Sequence, residues 1–491
     1  MENLAVSTKK KFKMDDFTSQ VRVVSGVGVK KILNASVKVS EGGADCGNGS
    51  VSLSGRIYLN VVFLSDDGKI EKAESEYDFI EKQKSVVSLS SVCAKDCATV
   101  ESVHFSGNEI VCEVLHKVCV YGVHKYEFPV ISSDDENLVL NKKSFTAQRV
   151  VASVEDSFVV AEEYETPFGE VTVLESGASI VVGDVSCTVD KVVVEGKIVS
   201  NVTVVDAEAD VQSIKREVEF KQEILAEGVL PNMQAQAVVN IKNVTVTPEQ
   251  KNDKTTLVYA YDLHAKCFAY DEMVYDVAED LFSITNEVQT TYDYLTIKNH
   301  TETKNFSDSV LNQIDISSID DLDDFVGVFD VKVIDVKTQD FDDKHEISAT
   351  ASAWALFKTN VGVDKIDIMI PLRYEIMKDN DDVVSDVHAN VDLLSYKVKA
   401  GKELELSLKV DYQVQYEKET GETVLKSYEI KDVKPVSEYA VQVYIAKEQQ
   451  SVFEVAKILN VKPEVIVAQN EVEDVFEKGS KIYVYSPANL F

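Results

Sequence analysis

Apolar and polar residues alternate with a period of two along most of the chain. The alternation is clear in residues 51–63, 191–205 and 403–414, which are rich in Val, Ile, Thr and aromatic residues. Successive side chains of a strand point to opposite faces, so these segments predict half-buried β-strands. The turns between them are built mainly from Asp, Asn and Ser, whose side chains favour turns by bonding to the backbone. The pattern predicts a mainly β fold.

A domain-sized unit repeats along the chain. Residues 55–64 align without a gap on residues 196–205, a spacing of 141 residues. The same spacing relates two further pairs of identical residues, Glu76 with Glu217 and Phe79 with Phe220. Each copy is long enough to bury its own core.

A third, more divergent copy has Ala349 in the place of Gly55 and Gly196. We therefore predict three tandem β-sandwich or barrel-like domains, at residues 12–143, 144–288 and 313–434. Polar, weakly patterned stretches near 136–150 and 288–312 are the predicted linkers.

The period changes near the C-terminus. Residues 439–446 alternate as a strand, and the next segment has apolar residues at helical spacing, with Ser451 as N-cap and Glu454 completing a capping box. A second helix is predicted to start near Pro463, and residues 479–487 are predicted to form a final strand. The order predicts a small α+β module, βααβ, at residues 437–487.

Composition narrows the function classes. The chain has 84 acidic and 50 basic residues, a formal net charge of −34, and is 45% hydrophobic. A surface this acidic disfavours binding to nucleic acid and to anionic lipid. The apolar content is higher than that of a disordered acidic chain, so we expect a folded protein. No apolar run reaches about 18 residues and no signal-peptide pattern is found, so we expect a cytoplasmic protein without a membrane span.

The sequence contains no motif typical of catalysis, of a cofactor or of a metal site. A His-x-x-Cys pattern occurs twice, at His116 and Cys119 and at His264 and Cys267, but residues three apart in a strand point to opposite faces. We interpret the recurrence as shared ancestry of the repeats. Glycine-rich phosphate loops and hydrolase motifs are absent. The prediction is a non-enzyme, with a hydrolase that uses paired carboxylates as the minor alternative.

Two further features have structural interpretations. Cys93 and Cys97 could share a helical face or lie in a loop, and no catalytic partner residues lie near them in the sequence. Trp354, the only Trp, lies in an alternating strand and is interpreted as a core residue.

The C-terminal module resembles a LysM module. Residues 451–456 lie where that family has Thr-Leu-Trp-x-Ile-Ala, Asn470 lies at its characteristic Asn, and residues 479–487 match its closing strand. Gln449 and Gln450 replace the family's Gly-Asp, which restricts the backbone of a loop that holds glycans in the family. The resemblance implies a binding surface made of two loops, Lys447, Glu448, Gln449, Gln450 and Ser451 in one, and Asn470, Glu471, Val472, Glu473 and Asp474 in the other.

The repeats together with this module resemble the SPOCS domains of spore coat morphogenetic proteins of the SipL and SpoVID type. The resemblance rests on Val194-Glu195-Gly196, on Glu217 and Phe220, and on the turn at residues 230–233. It implies a non-catalytic scaffold in the mother-cell cytoplasm, recruited to the forespore surface and bound through its LysM to a coat basement ATPase of the SpoIVA type. The alternative is a cell-wall protein whose LysM binds the N-acetylglucosamine-containing glycan of peptidoglycan.

Overall fold

A computed structural model describes residues 3–485, except for 48, 86–87, 132–134, 209, 252–253, 320–321, 361, 379–381, 400–401, 436–440 and 473. Within these residues the chain is mainly β, as predicted, with two short helices near the C-terminus. Neither described helix has the length and apolarity that a membrane span requires.

The first repeat comprises nine strands: β1 (Asn3–Lys13), β2 (Phe17–Val24), β3 (Val29–Gly47), β4 (Ser50–Ser65), β5 (Ile70–Lys84), β6 (Ser90–Asp96), β7 (Thr99–Ser106), β8 (Glu109–His116) and β9 (Val118–Pro129). They form three antiparallel three-stranded sheets, with strand orders β3-β4-β5, β2-β8-β7 and β1-β9-β6.

Within the residues that the structure describes, the second and third repeats have six strands each. The second contains β10 (Leu138–Glu165), β11 (Val171–Thr188), β12 (Lys191–Asp206), β13 (Val211–Leu225), β14 (Gln234–Lys251) and β15 (Lys254–Ser283). The third contains β16 (Asn286–Asp315), β17 (Leu322–Asp340), β18 (Lys344–Thr359), β19 (Gly362–Met377), β20 (Val383–Lys399) and β21 (Glu403–Val433). In both repeats, the second, third and fourth strands form one three-stranded sheet. The sixth strand is the centre of a second sheet and pairs with the first and the fifth strands.

Each repeat buries its own apolar cluster between its sheets. In β12, for example, Val192, Val194, Ile198, Val202 and Val204 face this cluster and are fully buried. At about 25 cal/mol per Å² of apolar surface removed from water, such burial is the main stabilising term within each repeat.

A glycine and a phenylalanine that recur in the first two repeats are cross-strand partners. Gly55 is paired with Phe79 and Gly196 with Phe220, and each ring covers its glycine. A Cβ on Gly196 would lie 2.8 Å from the Phe220 ring and 2.7 Å from the carbonyl oxygen of Val181. In the third repeat the corresponding partners are Ala349 and Leu372, a larger residue beside a smaller one.

The predicted linkers are wrong. Residues 136–150 lie largely in β10, and residues 288–312 lie within β16, so the predicted boundaries at 144 and 288 fall inside strands. The first half of β10 pairs with the end of β15, and the first half of β16 pairs with the end of β21. Each pair is a two-stranded ribbon, and its exposed side chains include polar residues together with Val274, Tyr292, Tyr294, Ile430 and Val433.

The ribbons of the three repeats share one core. The β1–β9, β10–β15 and β16–β21 ribbons contribute its buried residues: Val6, Phe128, Phe145, Ala147, Tyr275, Val277, Leu295, Ile297 and Val424. A second shared cluster joins the β3–β4, β11–β13 and β17–β18 regions of the three repeats. It contains Trp354, which is 2% exposed, so the prediction of a core residue is confirmed. Equivalent strands of the three repeats thus meet in these two clusters.

Polar groups are buried beside this second cluster. Asn34 and Glu175 are 141 residues apart in the sequence and meet in space, the Asn34 Nδ2 donating to both carboxylate oxygens at 3.0 Å. Burial, and then the charge of Asp330, raise the pKa of Glu175 to about 7. Burial lowers the pKa of Lys38 to about 8, although the charge of Glu175 acts in the opposite direction. The contact between repeats therefore contains groups whose ionisation is costly.

The C-terminal module has the predicted βααβ order with two additional short strands. It comprises β22 (Val441–Ile445), β23 (Gln450–Ser451), α1 (Val452–Leu459), α2 (Pro463–Asn470), β24 (Val475–Phe476) and β25 (Lys481–Tyr485). β22 pairs with β25, and β23 with β24, both antiparallel. The predicted start of the first strand at Tyr439 and the predicted end of the last at Pro487 lie outside the described residues.

We expect Gly196→Ala to lower the free energy of unfolding by about 1–3 kcal/mol, because the added methyl overpacks against the Phe220 ring. The double variant Gly196→Ala/Phe220→Leu recreates the third repeat's pair and should recover part of the loss. Urea unfolding measures both. Gly169→Ala is the control, since a Cβ there has no neighbour within 4 Å. Equal stability of the two single variants would contradict the packing argument.

Glu175 should make stability depend on pH. The pKa of Glu175 is raised from 4.5 to about 7 in the folded protein. Its contribution to the free energy of unfolding is therefore complete below pH 4.5 and is lost as the pH rises towards 7. Glu175→Gln mimics the protonated form, so its stability relative to wild type should rise by on the order of 1–3 kcal/mol between pH 5 and pH 7.5. Urea unfolding at the two pH values measures this, with exposed Glu170→Gln as control. Parallel pH profiles of wild type and Glu175→Gln would refute it.

Candidate binding surface

The two predicted binding loops of the C-terminal module lie side by side. Gln450 is paired with Phe476 and Ser451 with Val475, and the Val452 amide donates to the Asp474 carbonyl at 2.9 Å. This short ladder joins loops that are about twenty residues apart in the sequence. The structure therefore places the two sets of predicted residues on one surface.

The members of this surface differ in exposure. Five side chains are exposed and free to meet a partner: Lys447, Glu448, Gln449, Glu471 and Asp474. Four are half-buried: Gln450, Ser451, Asn470 and Val472. Glu473 lies outside the described residues.

Ser451 acts mainly in helix capping. Its Oγ accepts from the Glu454 amide at 3.2 Å, and the Glu454 carboxylate accepts from the Ser451 amide at 2.7 Å. The predicted capping box is confirmed, and it satisfies amide groups that the first turn of α1 leaves without helical partners. The neighbouring Gln450 accepts a hydrogen bond from the Tyr444 hydroxyl at 2.9 Å.

Asn470 joins the end of α2 to β25. Its Nδ2 donates to the carbonyls of Ile466 at 2.9 Å and Tyr483 at 2.8 Å, and its Oδ1 accepts from the Tyr483 amide at 2.7 Å. Glu471, which follows, adopts a left-handed conformation with φ of 52° and ends the helix. An Asn at this position therefore has a structural role independent of any ligand.

One face of the module rests on the β10–β15 ribbon. The Phe453 ring packs edge-on against Phe282, with centroids 5.3 Å apart, and the Lys457 ammonium pairs with Asp280 at 2.5 Å. Phe453 occupies the position of the Trp in the LysM motif. The sequence carries no signal for this contact, because nothing local to α1 distinguishes a residue packed on a neighbouring ribbon from one packed within the module.

The module has an apolar core of its own. Val452, Val455, Ile466, Ile482 and Val484 are buried, and Phe453, Leu459 and Val465 are partly buried against them. These side chains hold the two helices against the β22–β25 pair. The loops are therefore mounted on a packed support.

His116 and Cys93 are both buried in the first repeat. His116 Nδ1 lies 2.6 Å from an Asp96 carboxylate oxygen, both side chains are buried, and the imidazole stacks on Phe17. Cys93 lies in strand β6, which corrects the expectation of a helix or loop, and burial raises the pKa of its thiol to about 12. A thiol so rarely ionised is a poor nucleophile.

Among the described residues, no group of three or more His, Cys, Asp or Glu side chains is placed to hold a metal ion.

Comparison with known families gives one match, within the second repeat. Residues 171–249 match the family model described as SipL, SPOCS domain. The matched SPOCS region begins at the first residue of β11 and ends within β14, so it omits the long strands β10 and β15. It supports a SPOCS-domain, sporulation-related protein. No curated protein and no solved structure matches the chain.

We expect Asn470→Ala to destabilise the module by about 1–3 kcal/mol, since it removes the three hydrogen bonds that join Asn470 to Ile466 and Tyr483. Amide hydrogen exchange across residues 441–485 of the full chain measures the change as faster local opening. Gln449→Ala, in the exposed part of the other loop, is the matched control. Unchanged exchange in Asn470→Ala would show that these hydrogen bonds are dispensable.

Proposed function

We propose that the protein is a non-catalytic scaffold in spore coat or envelope morphogenesis. The observation that carries the proposal is the SPOCS match at residues 171–249, in a family not known for enzymes. Three repeats packed through shared cores suit a rigid scaffold, because the shared apolar contacts resist relative movement. In this role the protein acts in the mother-cell cytoplasm at the forespore surface.

The C-terminal module, at residues 437–487, is the proposed docking element and is of the LysM type. Its loop residues Lys447, Glu448 and Gln449 are exposed, while α1 rests on the ribbon through Phe453. The module carries eight acidic and five basic residues, so nearly all of the net charge of −34 belongs to the rest of the chain. A nearly neutral end on an acidic body meets the least repulsion from an acidic partner. The proposed partner is a coat basement ATPase of the SpoIVA type.

A second candidate is binding of peptidoglycan glycan through the same two loops. The adjacency of the loops favours it, since glycan binding in LysM modules uses this pair. Gln449 and Gln450, in place of Gly-Asp, count against it.

Deletion of residues 437–491 should abolish localisation around the forespore, observed with a fluorescent fusion. A sharper variant replaces Lys447, Glu448 and Gln449 with Ala in the full chain, which leaves the capping box and the ribbon contact intact. We expect at least a tenfold loss of binding to the purified ATPase. The matched control replaces exposed Lys462 and Glu464 of α2 with Ala.

The outcomes separate the candidates. Retention of the full chain by the ATPase and not by purified peptidoglycan supports the scaffold. If the full chain co-sediments with peptidoglycan and the loop variant does not, glycan binding is supported. Normal forespore localisation of the deletion variant would refute docking through the module.

A further inference from the structure

Strands β22 and β25 of the C-terminal module carry apolar residues on both faces of the sheet that they form. Tyr444, Ile482 and Val484 pack with the helices in the core of the module. Successive side chains of a strand point to opposite faces, so the residues that alternate with these form a second face. This outer face consists of Val441, Val443, Ile445, Lys481, Tyr483 and Tyr485.

The outer face is an exposed apolar patch. Its five apolar side chains are 39% to 57% exposed. They lie in two adjacent rows, one on each strand, and the cross-strand pairs are Val441 with Tyr485, Val443 with Tyr483 and Ile445 with Lys481. A contiguous apolar patch of this kind marks a contact with another molecule more often than a scatter of single exposed apolar residues does.

A sheet buries each apolar face against another layer of structure. The helices α1 and α2 cover the inner face, whereas the outer face stays exposed among the residues that the structure describes. At the edge of β25, the side chains of Gln469 and Asn470 bond to the backbone of Tyr485 and Tyr483. A further strand cannot pair at this edge without displacing them, so a covering layer would lie on the face.

The one charged residue of the outer face lies at its end. Lys481 is opposite Ile445, and its ammonium pairs with no carboxylate within the described part of the chain. In a chain with a net charge of −34, an unpaired cation beside apolar side chains favours a partner that brings a carboxylate to this end.

A second copy of the chain is a poor occupant. A stable dimer buries roughly 800 Å² per partner, from about 20–30 residues on each side, and the outer face offers six side chains. Two copies would also bring together two strongly acidic bodies, which repel one another.

A glycan is also a poor occupant. The rings of Tyr483 and Tyr485 could stack on a sugar. However, the β22 row consists of Val441, Val443 and Ile445, whose side chains offer no hydrogen bond to the hydroxyl groups that a sugar would bury there. An apolar protein surface matches the whole face.

The dimensions of the outer face suit a helix. The five residues of β22 span about 13 Å, at about 3.3 Å per residue, and the two rows lie about 4.8 Å apart. A helix rises 1.5 Å per residue and is about 10 Å wide, so about nine residues would cover both rows. Docking of an amphipathic helix on an apolar surface is a common mode of recognition.

We propose that the outer face binds an amphipathic helix of a partner protein, with an apolar stripe across the two rows and an acidic residue beside Lys481. The inference rests on the proposed docking role of the module and names the chemistry of the docked segment. The outer face adjoins the predicted loop, because Lys447 follows Ile445 after one residue.

The test uses the full chain and two probes. One probe is a phage library of peptides on a fixed helical scaffold with randomised surface positions, and the other is the purified coat basement ATPase. Val443→Glu places a carboxylate at the centre of the outer face. Ile458→Glu, the matched control, makes the same change at a residue of α1 that is 50% exposed. Lys481→Glu reverses the charge at the end of the face, and amide hydrogen exchange across residues 441–485 checks that each variant keeps the fold of the module.

We expect enriched helices with apolar residues at i, i+3, i+4 and i+7 and an acidic residue. In fluorescence polarisation, their binding should weaken at least tenfold in Val443→Glu and be unchanged in Ile458→Glu. Lys481→Glu should also weaken binding, and replacing the acidic residue of the peptide with Lys should restore it. A Pro at the centre of the peptide breaks the helix and should abolish binding.

The proposal is overturned if no helical peptide is enriched, if Val443→Glu and Ile458→Glu bind equally, or if the Pro-containing peptide still binds. It is also overturned if only N-acetylglucosamine oligomers bind in a manner that Val443→Glu disrupts. The ATPase separates this proposal from the docking proposal. ATPase binding that the loop variant loses and Val443→Glu keeps would retain docking and refute the outer face. Helices that bind the outer face without any binding of the ATPase would retain the outer face and refute the ATPase as partner.

Discussion

The shared core of the three ribbons is the constraint on which the rest of the structure depends. A two-stranded ribbon exposes both faces and is marginally stable alone in water. The three ribbons pack against one another and bury these faces. The shared core contains Phe145 and Tyr275 from one ribbon, Phe128 from another and Ile297 from the third. Because each ribbon continues into the sheets of its own repeat, this contact couples three separate cores. The repeats therefore form one assembly and not a flexible string.

Around this arrangement the repeats have diverged by paired changes. Gly with Phe became Ala with Leu at one cross-strand pair, which preserves the filled volume. Asn34 and Glu175, equivalent by position, became hydrogen-bond partners in the contact between repeats. Cys46 is bridged to Leu89, and among the described residues Cys187 at the equivalent position has no such bridge. Divergence within a retained topology thus made the contact between repeats specific.

The C-terminal module is part of the same assembly. Phe453 and Lys457 use one face of α1 to contact the ribbon, and Ser451 and Asn470 use their polar groups to hold loop ends. The residues that remain available to contact a partner are the exposed ones, which include Lys447, Glu448 and Gln449. The acid excess of the chain lies on the repeats, where like charges repel one another, while the module presents less charge.

The sequence by itself determined the elements that depend on neighbours along the chain. Alternation predicts strands, because side-chain direction in a strand is a local property, and Ser451 with Glu454 predicts the start of α1, because a capping box spans three residues. Repeat spacing also identified the recurrent glycine and phenylalanine. Only the tertiary structure decided that residues 138–150 and 286–300 are paired strands and that Phe453 packs on Phe282. Those outcomes depend on which distant surfaces bury one another, and long-range pairing leaves no periodic signal in either partner alone.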